Sequence, residues 1–420
     1  MTIGSQAQLD QYIEVVLEVG LNLRAGQRLL VEGSLATGVD VALLPFVRKV
    51  TEAAYRRGAA FVDVLWCDPQ EAVIRLKEAP RASLGHYPRW PGAARLEYFE
   101  AGDAVLTIHA DDPDLLAGFD AELIGPHMAA LREPIKPAVG YITRNAINWC
   151  VIAAPVPAWA AKVLPDTTSA ERESRLWQLI FETCRVAPGS DTVAAWRKHI
   201  AELGARAAYL NQKQYATLVY SGPGTHLKVG LPSGHIWQGG GARSEGGIDF
   251  VPNLPTEEIF TLPHRTEVDG EVTSTKPFAY GGATIDGMSL TFAEGKVVRF
   301  AARTGEGVLG QLLKVDDGSS RLGEVALVPN SSPVSRLGVT FHNALFDENA
   351  ASHLALGDAY RFSLRGAAAM STEQFESIGG NHSDIHSDFM IGSGAVDIDG
   401  VVDGGKAEAV MRAGEWAFEV

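Results

Sequence analysis

Cysteine, long apolar runs and clustered positive charge are all scarce in this chain, and each shortage removes a class of function. Cys67, Cys150 and Cys184 are the only cysteines among 420 residues. They lie far apart without C-x-x-C spacing, which argues against a disulfide framework or a thiolate metal site and fits a reducing compartment. No window approaches the roughly 18 uninterrupted apolar residues of a membrane-spanning helix. Residues Met1-Thr2-Ile3-Gly4-Ser5 lead into amphipathic sequence without the basic and apolar segments of a secretory signal, so a cytoplasmic location is expected. Lys and Arg total 36 against 51 Asp and Glu, a net charge of -15. With no basic cluster, neither nucleic acid nor an anionic membrane is an expected partner. G-x-G-x-x-G and G-x-x-x-x-G-K-[ST] are missing where they would matter, including the strand-to-glycine turn Val31-Glu32-Gly33-Ser34, so no nucleotide cofactor is expected. No internal repeat of fixed period is present.

What remains is an ordinary globular composition, 46% hydrophobic, long enough for two cores. The first half alternates helix and strand patterns. Leu9, Ile13, Val16 and Leu17 recur at helical spacing up to Gly20, and Gln27–Gly33 reads as a strand. A helix over Asp40–Arg57 and a strand over Phe61–Trp66 follow. A third unit is the helix Ala93–Glu100 with the strand Asp103–Ile108; a fourth is the helix Asp120–Arg132 with a strand at Lys136–Tyr141. This rhythm predicts an α/β domain with a mostly parallel sheet. His109, followed by Asp111-Asp112, ends a strand and could line a ligand crevice, because open parallel sheets bind at their strand C-termini. Helices over Ser169–Glu182 and Asp191–Leu210 carry Trp177 and Phe181, expected in a core.

After Asn211 the texture becomes β-rich: Tyr215–Tyr220, Thr225–Val229, Leu290–Phe292 and Lys296–Phe300 are short runs separated by glycine and proline. Hairpin signals occur at Glu294-Gly295 and at Asp399-Gly400. The expected domains are 1–211, α/β, and 212–420, an α+β domain rich in antiparallel strands that carries a metal site. The run from Gly239 to Gly247 holds one arginine and no lysine, which disfavours a phosphate cradle and leaves a flexible loop or a lid.

The metal expectation begins at Gly379-Gly380-Asn381-His382-Ser383-Asp384-Ile385-His386-Ser387-Asp388, where two imidazoles and two carboxylates fall within seven residues. In an extended strand His386 and Asp388 share a face, so one nitrogen and one oxygen donor can meet one cation. Three further positions end or begin regular runs: Glu258 before Ile259-Phe260, Glu324 in Leu322–Val328, and His353 in what reads as a small-residue helical turn. Two Glu, two His and one Asp without Cys form the donor set of a pair of divalent ions of borderline hardness. Such a pair makes metal-assisted hydrolysis the natural reaction class.

At these same segments, and above all at Asp347-Glu348-Asn349-Ala350-Ala351-Ser352-His353-Leu354-Ala355-Leu356-Gly357, the chain resembles the aminopeptidase T / aminopeptidase S family of dinuclear metalloaminopeptidases. The resemblance implies metal ligation by Glu258, Glu324, His353, His386 and Asp388, with Tyr360 close by as a catalytic phenol. Glu258 is the expected ligand of the Glu257-Glu258 pair because it immediately precedes Ile259-Phe260, and Glu257 is left a supporting role. Also implied are two divalent ions per chain (Zn, Co, Mn or Mg), peptide substrates with a free N-terminus, release of N-terminal amino acids by a water nucleophile activated at the metals, and a homodimer. Two other readings stand beside this one. A mononuclear non-haem Fe(II) ring-cleaving dioxygenase would use His353, His386 and Asp388 and has no need of Glu258 and Glu324. A non-catalytic homologue would bind without turnover.

Overall fold

The structure is a computed structural model and describes residues 6–34, 38–280, 283–402 and 404–420. The segment Met1–Ser5, on which the expectation of a start without a secretory signal rests, lies outside the described residues. Among the described residues no helix is long and apolar enough to cross a membrane. The chain forms two compact units, residues 1–198 with 241–255, and residues 199–240 with 256–420. The expected division at 211/212 falls near the end of the helix Thr192–Lys213.

The first unit is built on a four-stranded parallel sheet in the order Phe61–Val64, Arg28–Gly33, Ala104–His109, Trp149–Ala153. Leu29, Leu30 and Val31 are fully buried on both faces of their strand, as helices on each side of a parallel sheet require. Trp177 and Phe181 stack on each other at 5.3 Å, with Tyr12 packed edge-on to both and Phe46 tilted against Trp177, so these aromatics belong to the core. One expected strand is wrong: Lys136–Thr143 is a helix, started by Pro137 in its first turn, and the fourth strand is the apolar run Trp149–Ala153. The glycine-rich stretch contributes a short antiparallel ribbon, Ala242–Arg243 with Asp249–Phe250.

The second unit holds an eight-stranded antiparallel sheet, from Lys296–Ala301 at one edge to Glu415–Trp416 at the other, and a four-stranded one. The hairpin at Glu294-Gly295 forms as predicted, with both residues at positive φ. The one predicted at Asp399-Gly400 does not: Asp397–Val401 is an unbroken strand paired on both sides. Gly400 is there for space, since a Cβ would stand 2.5 Å from the ring of Tyr215.

The four-stranded sheet runs in the order Ile259–Thr261, Leu322–Leu327, His353–Gly357, His386–Met390, all antiparallel. Its sequences alternate. Val325, Leu327, Leu354, Leu356 and Phe389 belong to one buried cluster that also contains Leu218, Tyr220 and Val229 of the larger sheet. Each such apolar side chain contributes about 1.5–3 kcal/mol on burial, which fixes the register, because a one-residue slip would turn the whole set outward. The intervening positions therefore share the opposite face, and there the sequence places small and ionisable residues.

Candidate metal centre

Register alone gathers most of the site. Glu324 pairs with Ala355, which pairs with Asp388; His353 lies opposite Ala326, and His386 opposite Gly357. Directly opposed residues and their i±2 neighbours share a face, so Glu324, His353, His386 and Asp388 converge over Ala326 and Ala355. Those two positions carry only methyl groups, which leaves room above the sheet. Glu258 joins from the residue before the edge strand Ile259–Thr261, where Ile259 pairs with Leu327. All five residues expected as ligands are thus brought together. His353 arrives on a strand and not in a helical turn: the short helical segments end at Ala350, and Ala351 is fully extended.

The donors form two sets that share one residue. Glu258, Glu324 and His353 present one ligand atom each within 4.8 Å of one another, and so do Glu324, His386 and Asp388. Glu324 spans the two with different oxygens, Oε1 at 3.5 Å from His353 Nε2 and Oε2 at 3.8 Å from His386 Nε2. Glu258 Oε2 stands 3.2 Å from His353 Nε2, and Asp388 Oδ1 3.3 Å from His386 Nε2. Both rings are held from behind. His353 Nδ1 donates to the carbonyl of Ala351 at 3.1 Å and His386 Nδ1 to that of Asp358 at 2.8 Å, which fixes the tautomer and directs each Nε2 into the site.

The electrostatics describe a site that wants cations. Burial raises the pKa of Glu324 most, with Glu258 and Asp388 adding to it and the two imidazoles opposing. Burial disfavours the charged form of both rings, yet the surrounding carboxylates outweigh it: His353 is held well above its ordinary value and His386 is pushed up to about 10. Burial likewise works against ionised Asp388, but His386 and His353 overcome it and hold its carboxyl below the usual range. The residues fit a metal centre on their own chemistry. Oε2 of Glu258 and Oδ1 of Asp388 are buried without a hydrogen bond, and among the described residues only imidazoles make ion pairs with these three carboxylates. Buried carboxylates in such number require cations.

Around the donors the Asp347–Ser352 segment acts as a brace. Asp347 accepts from the backbone N–H groups of Phe341 at 2.8 Å and Asn343 at 3.0 Å. Asn349 accepts from the N–H of Glu257 at 2.7 Å and donates to Leu345 O at 2.9 Å, fixing the backbone just before Glu258. Glu257 itself turns to His199, 3.6 Å away. His382 pairs with the half-buried Asp358 at 2.9 Å, outside the donor set. Tyr360 lies with its ring centroid 5.2 Å from that of His386 and stacks on Phe362 at 5.1 Å. Its phenol is kept protonated, by burial first and then by Glu324, Asp388, Glu348 and Glu258. Sequence reasoning passed over Glu348. Burial, Glu258 and Asp388 push its carboxyl well above the ordinary range, and among the described residues it has no hydrogen bond or ion pair. The signal was its place in the same short turn as Asn349.

Comparison with known proteins identifies the family. The thermophilic metalloprotease (M29) family profile matches residues 5–416. The chain belongs to that family. Within it, aminopeptidase 2 of Geobacillus stearothermophilus is 43% identical over 99% of both chains, and aminopeptidase T of Thermus thermophilus 41% identical over 97% of this chain and 98% of its own. The solved structure of wild-type AmpT from Thermus thermophilus superposes with a TM-score of 0.91 at 40% identity, covering 98% of this chain and 99% of that one. The fold class is therefore that of an M29 protein, an α/β region with a parallel sheet and a region of antiparallel sheets. A 2,5-dihydroxypyridine dioxygenase from Pseudomonas putida shares the fold at a TM-score of 0.53 with 12% identity, a likeness of architecture alone that does not favour the dioxygenase reading.

Proposed function

We infer that this M29 protein is a metalloaminopeptidase, releasing the N-terminal amino acid of peptides by metal-assisted attack of water, and that Glu258, Glu324, His353, His386 and Asp388 hold two divalent ions. The observation that carries the reading is Glu324, whose two oxygens face two different imidazole–carboxylate sets. A single ion would leave one set idle. When bound, the ions supply a Lewis acid for the scissile carbonyl and lower the pKa of a water beside it.

The chain's own groups do the rest. Glu258 and His353 serve one position, His386 and Asp388 the other, and Glu324 spans them. Tyr360, kept as a neutral phenol, donates a hydrogen bond to the carbonyl oxygen as that oxygen gains charge. Glu348, without a hydrogen bond or ion pair among the described residues to compete with a ligand, ionises once cations offset Glu258 and Asp388 and receives the substrate's α-ammonium, which restricts cleavage to the N-terminus. Phe260, Tyr360 and Phe362, with ring centroids 5.1–6.2 Å apart, form an aromatic wall that limits water beside the reacting carbonyl. The homodimer and the cytoplasmic setting implied by the resemblance belong to the same proposal; sedimentation of the purified protein tests the first.

The test replaces donors one at a time. His386→Ala and Glu324→Ala are expected to lose hydrolysis of aminoacyl p-nitroanilides by more than about 100-fold, since even groups behind metal ligands are worth 10–100-fold, and to lose bound metal while folding normally. Full activity in either variant would overturn the assignment.

A further inference from the structure

The first unit contains a cavity of about 390 Å³ that the metal chemistry does not use. It lies at the carboxyl ends of the parallel strands, lined by Gly33 and Ser34 after one, Ala110 and Asp111 after another, and Trp66 and Cys67 beyond a third. The chain leaves Arg28–Gly33 toward Phe61–Val64 on one side and leaves Ala104–His109 toward Trp149–Ala153 on the other. The cavity therefore occupies the switch point at which open α/β sheets hold ligands, and its volume falls in the range of ~300–1,000 Å³ typical of such sites. His109 itself does not line the cavity, but Ile108, Ala110, Asp111 and Asp112 beside it do.

Three kinds of group line it. Asp40, Asp68 and Asp111 surround the thiol of Cys67, which burial and then Asp40 and Asp111 push up to about 11. Each carboxylate has a local hydrogen bond: from Ala42 N at 2.8 Å, from Gln70 N at 3.0 Å and from the Ser34 hydroxyl, respectively. None has an ion pair among the described residues. Elsewhere in the wall Arg75 gives one terminal nitrogen to the carbonyls of Ser83, at 2.9 Å, and His86, while its Nε is buried without a partner. Beside it His127 is only 4% exposed and has no hydrogen bond or ion pair among the described residues; burial and then Arg75 keep the ring neutral. Trp66 and Trp90 supply exposed aromatic surface, 39% and 63% accessible.

A wall with carboxylates free of ion pairs among the described residues around Cys67, an unspent guanidinium N–H beside a neutral imidazole, and exposed indole surface suits a small zwitterion. Phosphate and nucleotides are disfavoured by the excess of acid. A lone divalent cation is disfavoured too, because among the described residues only the two sets in the second unit bring three such donor atoms within 4.8 Å of one another. We propose that this cavity binds a free α-amino acid, its ammonium at Asp40, Asp68 and Asp111, its carboxylate at Arg75 Nε and His127, and its side chain against Trp66 and Trp90. The assignment rests on the wall chemistry and not on the peptidase reading.

Calorimetric titration of the metal-loaded protein with leucine tests it, using 4-methylpentanoate and 3-methylbutylamine as probes lacking one charge each. Leucine is expected to give a binding event that survives in His386→Ala, that weakens about tenfold or more in Asp111→Asn and in Asp68→Asn, and that neither single-charge probe reproduces. Unchanged melting temperature and bound metal in the two Asn variants show that the fold and the metal centre are intact. The proposal is overturned if leucine does not bind, if its only binding is lost in His386→Ala and unaffected in both Asn variants, or if either probe binds as well as leucine. None of these readings depends on whether the protein hydrolyses peptides.

Discussion

Glu324 and Asp388 flank one alanine: each is the direct cross-strand neighbour of Ala355, from opposite sides. Three adjacent strands thus present acid, methyl, acid in a row on a face whose reverse is packed with Leu354, Leu356 and Val325. The methyl is what leaves space between the carboxylates.

Filling that space has a defined consequence. Ala355→Leu is expected to lower bound metal and activity by more than about tenfold, with overpacking costing about 1–3 kcal/mol of stability. Metal content set beside a denaturant melt separates the two effects. Full metal occupancy in the leucine variant would contradict the role given to the methyl.

Tyr360→Phe keeps the ring stack on Phe362 and removes only the hydroxyl. The expectation is a fall in kcat of about 10²–10³-fold, the usual cost of one oxyanion donor, with bound metal unchanged and KM little altered. Steady-state kinetics on a leucyl anilide measures it.

Glu348→Gln removes a charge but little volume. Because the carboxylate is assigned to the substrate's α-ammonium, kcat/KM for free-amine substrates should fall by about tenfold or more, with metal content intact. An equal response toward an N-acetylated competitor that lacks the ammonium would contradict the assignment.

The acid–base state of the site makes metal binding depend on pH. Without metal, the carboxylates overcome the burial that favours neutral rings, holding His386 protonated up to about pH 10 and raising His353 as well. A raised imidazole pKa means that near neutral pH an ion must displace protons in order to bind. Uptake is therefore expected to release at least about one proton per chain and to weaken as pH falls. Calorimetry of metal binding in buffers of different ionisation heat reads this directly, and no proton release would contradict it.

Much of the site was legible in the sequence because the chemistry depends on short-range pattern. His386-x-Asp388 reads as one face of a strand in any context, and Leu322–Leu327 alternates apolar and small or acidic residues closely enough to mark Glu324. The block Asp347–His353 was recognisable, but not its mechanics. Asp347 and Asn349 hold backbone, and only the turn they brace shows that His353 begins a strand. Glu348 gave no periodic signal, since a turn residue's direction is set by tertiary contacts. The apolar residues of Lys136–Thr143 read equally as a strand, and it is Pro137 in the first turn that favours the helix. Gly400 was read as a turn, whereas the ring of Tyr215 is what requires a glycine there.

The central claim is that one shared carboxylate, Glu324, organises a two-ion aminopeptidase centre. Its most direct test is metal content per chain in protein purified without added metal, measured together with leucyl p-nitroanilide hydrolysis. The account predicts about two divalent ions per active chain, with both metal and activity lost in Glu324→Ala. A single iron per chain with no peptide hydrolysis, or full activity with one ion, would contradict it.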